Sequence, residues 1–308
     1  MKYITILLLL LLPCIAIGED IDLAFEYDNI TRDLAVYLPS NYSPVESFEL
    51  LIGLHGCGQD AYSYRTALSE VAENNGLILM CINALDDGSQ LNKMMVDERG
   101  KVIPAAIDYL STKYNIDKKS VYLTGFSCNA AMTLFHGLNN LYEFKGLIPF
   151  NAYLPPEYDN KYNLDSKKST CFCSGTNDGN YSRNQTLYNQ LRANGGVTYF
   201  NSMPGIGHTV TFPEFTNEMQ ECIDFIKQIT TKVEIDDSGE LLFLHPNEGI
   251  LNINNKSNHN NTEIFNLLGE SVFISNRNSM DISHLIKGLY IVKVNTNKSS
   301  FLSKLILN

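Results

Sequence analysis

Three side chains of the types used in nucleophilic catalysis follow one another along the chain. Ser127 lies in the run GFSCN, Asp178 in GTNDG and His208 in GIGHT. A serine hydroxyl is a poor nucleophile unless a histidine accepts its proton, and the histidine needs a carboxylate that fixes its tautomer. The set therefore predicts acyl transfer through Ser127, with His208 as the base and Asp178 as the acid that orients it.

A glycine-bracketed run, HGCGQ over residues 55–59, could supply the remaining requirement of acyl transfer. Its backbone amides can turn towards the serine and stabilise the negative charge of a tetrahedral intermediate, a contribution of roughly 3 to 4 kcal/mol per donor. We expect the N–H of Cys57 or Gly58 and the N–H of Cys128 to form this oxyanion hole. A plain tight turn is the alternative for residues 55–59.

Each of the three catalytic candidates follows a segment with the pattern of a β-strand. The predicted strands are Ser120–Gly125 before the serine, Thr170–Ser174 before the aspartate and Val197–Met203 before the histidine. A serine on a tight strand-to-helix turn has its hydroxyl pushed clear of the sheet, and the helix N-terminus favours developing negative charge. A second Gly-x-Ser run, Gly269–Ser271, has no helix after it. Singly, a helix N-cap, a turn aspartate and a surface histidine are ordinary alternatives, but their joint placement favours the catalytic interpretation.

From residue 19 to residue 229, short β-like runs alternate with helical patterns, which predicts the α/β class, a mostly parallel sheet with helices on both faces. Two runs, Leu50–Leu54 and Leu77–Met80, carry no polar side chain, as expected for strands that are covered on both faces. The further predicted elements are the strands Leu23–Tyr27, Asp33–Leu38, Leu50–His55, Leu77–Asn83 and Gly146–Phe150 and the helices Ala61–Asn74, Pro104–Tyr114, Cys128–Leu138, Ser182–Asn194 and Pro213–Ile229.

The composition of the 308 residues excludes two classes of protein. A hydrophobic fraction of 44% argues against a disordered chain. The 23 basic and 34 acidic residues give a net charge of −11, whereas a protein that binds the phosphates of nucleic acid needs a basic face. We therefore expect no nucleic-acid partner.

Residues 1–18 have the features of a signal peptide, with Lys2 at the start, an apolar run over Ile4–Leu12 and a small-residue site before Glu19, where cleavage is expected. A membrane anchor is the alternative. The apolar run is short of the roughly 20 residues that span a bilayer, and Pro13 interrupts it. The sequence thus predicts an exported protein.

After removal of the signal peptide, the exported chain would keep six cysteines. They are Cys57, Cys81, Cys128, Cys171, Cys173 and Cys222. Disulfides persist in the compartments that exported proteins reach, but six cysteines allow fifteen pairings and the sequence does not choose among them. Cys171 and Cys173 share one face of a predicted strand at roughly 6 to 7 Å, the limit of a disulfide. We expect these two not to pair with each other, and no cysteine spacing resembles a zinc site.

The composition changes after the predicted helix that ends at Ile229. A polar, acidic linker over residues 230–240 is followed by residues 241–308, which are rich in Asn, Ser and β-forming residues. Alternation such as that of Leu251 and Ile253 predicts a small all-β sandwich. A carbohydrate-binding module of similar architecture is the alternative, and the absence of tryptophan counts against it.

Residues 25–229 resemble the secreted polyhydroxybutyrate depolymerase and feruloyl or acetylxylan esterase group of α/β-hydrolases. The runs that carry the resemblance are NITR and YLP in the opening hairpin, LHGCGQ, YNID before the serine strand, GTND and GH. The resemblance implies the nucleophile, acid and base roles for Ser127, Asp178 and His208, and it places Cys57 in the oxyanion loop. The chain order of the three residues is also that of the α/β-hydrolases.

Two positions depart from the pattern of that group. Where the group has glycine two residues after the serine, this chain has Asn129, and because asparagine tolerates left-handed backbone we expect an adjusted turn. The aromatic residue that often follows the histidine as Trp-Pro is displaced here to Phe212-Pro213. We therefore expect a different substrate wall near His208.

Residues 241–308 resemble the type A sorting domain of the type IX secretion system of Bacteroidetes-type bacteria. The runs that carry this resemblance are HPN, LNI, IFNLLG, MDISHL, GLYIVKV and KLIL. It implies that the type IX machinery is a partner and that the protein is secreted or held at the cell surface. A domain of this kind contributes no catalysis.

Motifs and resemblance together predict an exported serine carboxylesterase. Its substrates would be esters, including polymeric ones such as polyesters or plant polysaccharides that carry acyl or feruloyl groups, and no metal or organic cofactor is implied. A serine peptidase of the same fold and a non-catalytic surface binding protein are the alternatives. The short span between the predicted strand Gly146–Phe150 and Asp178 leaves little room for a large lid, which favours esters.

Overall fold

The computed structural model describes residues 18–83, 101–156, 159–230, 243–247, 250–254, 259–277, 279–282, 284–286, 288–297 and 300–307. The chain divides into two compact units, residues 1–226 and 227–308. The predicted signal peptide lies outside the described residues except for Gly18, and so does the predicted linker except for Thr230. The domain boundaries drawn from the sequence stay predictions.

The first unit is built on an eight-stranded sheet with the spatial order β1-β2-β4-β3-β5-β6-β7-β8. Its strands are β1 (Glu19–Tyr27), β2 (Ile30–Leu38), β3 (Phe48–Leu54), β4 (Ile78–Ile82), β5 (Ile116–Phe126), β6 (Gly146–Phe150), β7 (Thr170–Gly175) and β8 (Thr198–Met203). The described helices are α1 (Ala61–Asn75), α2 (Val102–Ser111), α3 (Cys128–Leu138), α4 (Tyr181–Ala193) and α5 (Phe215–Thr230). Not one of these helices combines the length and the apolar character that crossing a membrane requires.

Strand directions and helix positions confirm the predicted α/β class. Strands β1 and β2 form an antiparallel hairpin and β2 pairs antiparallel with β4, whereas all pairs from β4 to β8 are parallel. Helices α1 and α5 pack on one face of the sheet and α2, α3 and α4 on the other. Because parallel strands end at the same edge, the loops after β3, β5, β7 and β8 start side by side.

Local signals explain where the helices begin and end. Asp60 caps α1 by accepting the N–H of Ser63 at 2.7 Å, and Gly76 ends the helix with a left-handed φ of 60°. The helix predicted from Pro104 begins two residues earlier, at Val102. A proline in the first turn lacks an N–H that would have no acceptor within the helix, so Pro104 is tolerated there and does not set the start.

Two disulfides join described residues of the first unit. Cys57 pairs with Cys128, and Cys171 pairs with Cys222. The second disulfide confirms the expectation that Cys171 does not pair with Cys173, which is a buried thiol. The remaining choice of partners was open in the sequence because pairing depends on how the strands and helices pack.

The second unit contains two antiparallel sheets. One has the order β13-β10-β9 and the other the order β12-β11-β14-β15. Their residues are β9 (Phe243–Asn247), β10 (Ile250–Asn254), β11 (His259–Phe265), β12 (Ser271–Ser275), β13 (Ser279–Asp281), β14 (Gly288–Thr296) and β15 (Ser300–Leu307). Leu251 and Met280 of the first sheet share one core with Ile264 and Val292 of the second. This is the all-β architecture that the sequence predicts.

A carboxylate on α1 holds the segment that follows β2. Glu73 Oε2 accepts the hydroxyl of Tyr37 at 2.6 Å and the backbone N–H of Ser40 at 2.9 Å. Burial alone would raise the pKa of Glu73, but the hydrogen bonds from Ser40 and Tyr37 outweigh burial and lower it. A lowered pKa in the folded state means that this contribution to stability exists above the pKa of the unfolded chain. It is lost as the pH falls through the folded pKa.

We predict that Glu73→Gln lowers the free energy of unfolding at neutral pH by about 1 to 2 kcal/mol, because hydrogen bonds to a charged acceptor become bonds to a neutral amide. The difference from wild type should shrink as the pH falls, since the wild-type carboxyl then becomes protonated. Urea unfolding of both proteins at a series of pH values from 7 downward measures this difference in the free energy of unfolding. The exposed Glu46→Gln is the control for the change in net charge, and a difference that is equal at every pH would contradict the assignment.

Candidate active site

Ser127 occupies the turn that joins strand β5 to helix α3. Its backbone has a positive φ of 58° with a ψ of −120°, a conformation that residues with a Cβ rarely adopt. The turn is held at both peptide groups, because the Ser127 N–H donates to the Phe150 carbonyl at 3.1 Å and the Ser127 carbonyl accepts the Tyr153 N–H at 2.9 Å. Gly125 allows the helix to approach, since a Cβ there would lie 2.4 Å from the carbonyl oxygen of Asn129.

The three side chains predicted from the sequence lie in one hydrogen-bonded row. His208 Nε2 is 2.7 Å from Ser127 Oγ, and His208 Nδ1 is 2.6 Å from Asp178 Oδ2. When Nδ1 carries the proton and donates it to the carboxylate, Nε2 is an acceptor facing the serine hydroxyl. The arrangement can therefore move a proton from Ser127 to His208.

Asp178 is suited to remain an anion. Its side chain has no exposed surface, whereas the side chain of His208 is 40% exposed. Asp178 Oδ1 accepts the backbone N–H of Asn180 at 2.7 Å. Burial alone would raise the pKa of Asp178, but the hydrogen bonds from His208 and Asn180 outweigh burial and lower that pKa.

The loop that carries His208 is held by Asn151, a residue that the sequence analysis did not single out. Asn151 is fully buried and left-handed, with φ 45°. Its Nδ2 donates to the carbonyls of Gly207 at 3.0 Å and Thr209 at 3.3 Å, and its Oδ1 accepts the Gly175 N–H at 2.8 Å. One carboxamide thus connects the end of β7 to both neighbours of the histidine. The signal in the sequence was an asparagine, which tolerates left-handed backbone, directly after a predicted strand.

Aromatic rings lie beside the imidazole. The ring centroid of Phe126 is 4.9 Å from that of His208. Phe212, the displaced aromatic residue, packs against Phe150 with ring centroids 6.2 Å apart and against Phe215 at 5.9 Å. Phe212 belongs to this aromatic cluster, and its effect on a substrate wall stays a prediction.

The residues predicted to form an oxyanion hole lie on two segments beside the serine. Cys57 and Gly58 occupy the turn after β3, in which the Gln59 N–H donates to the Gly56 carbonyl at 3.1 Å. Gly58 is left-handed, with φ 77°. The disulfide joins Cys57 to Cys128, the residue after Ser127, with 5.9 Å between the two Cα atoms. The disulfide therefore keeps the turn that carries Cys57 and Gly58 beside the residue that follows Ser127.

The backbone of Asn129 is not left-handed, although we expected that conformation at this position. Asn129 is a fully buried helical residue of α3, and the residue of the turn with a positive φ is Ser127. Its Nδ2 donates to the carbonyl of His55 at 2.5 Å. The amide is therefore directed to the loop after β3, and Asn129 itself lies in the helix.

One sulfur cluster in the described part of the chain could be considered for a metal ion. The sulfur atoms of Cys171, Cys173 and Cys222 lie within 4.8 Å of one another. The disulfide between Cys171 and Cys222 removes two of the three thiolates that a metal would need. In this oxidised form the cluster does not offer a metal site.

Fold and site together define an α/β-hydrolase with a serine, a histidine and an aspartate in contact. Residues 43–230 match the model of the phospholipase/carboxylesterase family. The chain belongs to this family. Residues 243–308 match the secretion system C-terminal sorting domain, which indicates export through the type IX machinery.

This chain is also similar to known proteins, to one in sequence and to others in fold. A bifunctional acetylxylan esterase/xylanase, XynS20E, from Neocallimastix patriciarum is 30% identical over 112 residues, which are 36% of this chain and 16% of that protein's length. The fold is similar to that of the S-formylglutathione hydrolase of Staphylococcus aureus, with a TM-score of 0.59 at 18% identity, covering 70% of this chain and 99% of that one. It is also similar to the feruloyl esterase module from Clostridium thermocellum, with a TM-score of 0.54 at 16% identity, covering 69% and 89%.

We predict that Asn151→Gly, which keeps a positive φ available, lowers the free energy of unfolding by roughly 1 to 3 kcal/mol. The buried Gly175 N–H loses its acceptor and two half-buried carbonyls lose their donor. It should also shift the NMR resonance of the Nδ1 proton of His208. The control Asn139→Ala removes two amide-to-carbonyl hydrogen bonds at the end of α3. The control should leave that resonance in place, and an unchanged resonance in Asn151→Gly would contradict the role of Asn151.

Proposed function

We propose that this protein is an exported serine carboxylesterase in which Ser127 is the nucleophile, His208 the general base and Asp178 the residue that orients the base. The observation that carries the proposal is the continuous contact from Ser127 Oγ through the imidazole to Asp178, at 2.7 and 2.6 Å. The first distance is within hydrogen-bonding range for a nucleophile and its base, and the second for the base and the carboxylate that orients it. Membership of the phospholipase/carboxylesterase family supports ester bonds as the target.

Acylation begins when Ser127 Oγ attacks the carbonyl carbon of the ester while His208 Nε2 takes the hydroxyl proton. The carbonyl electron pair moves to oxygen and forms a tetrahedral oxyanion. When this intermediate collapses, the carbonyl re-forms and the bond to the alcohol oxygen breaks. His208 gives its proton to that oxygen, so that the products are an alcohol and an acyl-serine.

Deacylation repeats the sequence with water. His208 takes a proton from the attacking water, the hydroxyl oxygen bonds to the acyl carbon, and the second oxyanion collapses with cleavage of the bond to Ser127 Oγ. The proton returns to the serine and the carboxylic acid leaves. Asp178 stabilises the imidazolium in both steps because it is buried, and the lowered pKa of its carboxyl keeps it anionic.

The oxyanion is bound, in this proposal, by the backbone N–H of Cys57 or Gly58 and by that of Cys128. The Cys128 N–H is at the first residue of α3, where the helix dipole adds positive potential. Support comes from the disulfide, which keeps the loop after β3 next to the serine turn. Asn129, which departs from the glycine of the esterase group, donates to that loop and so supports a catalytic turn over a non-catalytic binding protein.

The substrates that we favour are small acyl esters on polysaccharide hydroxyls. Acetylxylan is in the name of the relative with 30% sequence identity, whereas the similar structures share their fold at 16% to 18% identity. Secretion through the type IX machinery would bring the enzyme to such polymers at the cell surface or beyond it. Feruloyl esters and polyesters are the next candidates.

Replacing the nucleophile tests the mechanism. We predict that Ser127→Ala lowers kcat for 4-nitrophenyl acetate by at least about a thousandfold and abolishes labelling by a fluorophosphonate, since only an activated serine reacts. The control Ser271→Ala changes the other Gly-x-Ser serine, which is exposed, and should keep activity within about twofold of wild type. Activity of Ser127→Ala within tenfold of wild type would end the proposal.

A substrate panel tests the ester class. Acetate release from acetylated xylan should exceed ferulate release from feruloylated arabinoxylan and monomer release from a hydroxybutyrate oligomer. It should exceed cleavage of a peptide anilide by more than about tenfold, because the site discriminates through differences in transition-state binding. Chromatography of the released acids and amines measures all four. Preferential cleavage of the peptide would replace the esterase proposal with the peptidase alternative.

A further inference from the structure

Three consecutive residues of the loop after β3 contact the three residues that flank the serine. The carbonyl of His55 accepts a hydrogen bond from Asn129. Gly56 lies so near Phe126 that a Cβ on the glycine would be 2.6 Å from its ring. Cys57, the next residue of the loop, forms the disulfide with Cys128. The loop is therefore fastened to the residues before and after Ser127.

The hydrogen bond from Asn129 is the most informative of these contacts. Asn129 has no exposed surface, and no donor among the described residues reaches its Oδ1. An unpaired buried carbonyl costs roughly 1 to 3 kcal/mol. The Asn129 side chain keeps this unfavourable contribution, and its Nδ2 donates to the carbonyl of His55 at 2.5 Å. Packing alone does not account for an amide at this position.

The loop's own hydrogen bonds join Gly56 to Gln59, with the Gln59 N–H donating to the Gly56 carbonyl at 3.1 Å and the Gly56 N–H to Gln59 Oε1 at 3.0 Å. These bonds shape the turn but do not connect it to the residues around Ser127. Gly58 has a left-handed φ of 77°, and no atom lies within 4 Å of where its Cβ would be. The last pairing between β3 and β5 joins Leu54 to Gly125, before the loop begins. An oxyanion hole needs donors at 2.7 to 3.1 Å from the oxyanion, and strand pairing alone does not fix the loop to that tolerance.

We infer that the Cys57–Cys128 disulfide and the Asn129 amide are positioning groups that hold the two halves of the oxyanion hole together. The inference rests on the proposed function. It makes full esterase activity dependent on the oxidised state of one particular disulfide. Reduction opens the disulfide to two thiols, with a dithiol reagent supplying two electrons and two protons and becoming a disulfide itself.

The second disulfide provides a matched control. Cys171 and Cys222 are both fully buried and join β7 to α5. Neither residue flanks the serine or lies in the loop after β3. Loss of either disulfide removes one crosslink from the same unit, but only the loss of Cys57–Cys128 separates the two segments that carry the oxyanion donors.

The first experiment compares Cys57→Ala/Cys128→Ala with Cys171→Ala/Cys222→Ala in the full chain. Alanine keeps the backbone N–H groups, so the first variant removes the tether without removing a donor. We expect its kcat for 4-nitrophenyl acetate to fall roughly 10- to 100-fold, as for a small misplacement of catalytic groups, with KM nearly unchanged. Affinity for a trifluoromethyl ketone, whose serine adduct carries the oxyanion, should fall by the same factor. The control variant should keep wild-type values for kcat and for the inhibitor.

A second variant tests the same loop with both disulfides intact. Asn129→Ala should lower kcat about tenfold and weaken the trifluoromethyl ketone equally, whereas Asn201→Ala, which removes the buried amide bonded to Glu218, should change neither. This comparison decides the matter if the cysteine variant does not fold. In the Cys171→Ala/Cys222→Ala background, dithiothreitol should also lower kcat and reoxidation should restore it.

The outcomes separate the two proposals. Wild-type kcat and inhibitor affinity in folded Cys57→Ala/Cys128→Ala and in Asn129→Ala would overturn the positioning role and leave the esterase proposal intact. A wild-type protein that hydrolyses none of the esters and resists fluorophosphonate would instead refute the esterase. A parallel loss of kcat and inhibitor affinity in these variants alone would support the inference.

Discussion

The turn at Ser127, with its positive φ, is the constraint on which the rest of the site depends. Such a sparsely populated backbone conformation costs a residue with a Cβ roughly 1 to 3 kcal/mol. The turn persists because hydrogen bonds with Phe150 and Tyr153 hold both of its peptide groups, and because Gly125 lets the following helix approach. This geometry separates the hydroxyl from the end of β5 and brings it within 2.7 Å of His208.

The segment that holds the serine turn also holds the histidine. Phe150 ends β6 and accepts the N–H of Ser127, and the next residue, Asn151, binds the carbonyls on both sides of His208. One strand end thus supports two residues that are 81 positions apart in the sequence. A rigid common support explains how a short contact is kept between side chains on separate loops.

A buried carboxylate and a disulfide add to the hydrogen bonds that hold the site. Asp178 is inaccessible and held as an anion, while His208 is partly exposed where a substrate would arrive. The disulfide between Cys57 and Cys128 lies between the loop after β3 and the helix behind the serine. A sorting domain that indicates export fits such a disulfide, because disulfides persist outside the reducing cytosol.

The α/β class and the order Ser127, Asp178, His208 could be predicted from the sequence, because the strand, turn and helix signals lie in neighbouring residues. The pairing of the cysteines and the contacts of Asn129 and Asn151 are visible only in the folded chain. Cys57 and its partner are separated by 71 positions, and the two asparagines act on loops from other parts of the chain. Such contacts depend on how distant segments pack, which local patterns do not encode.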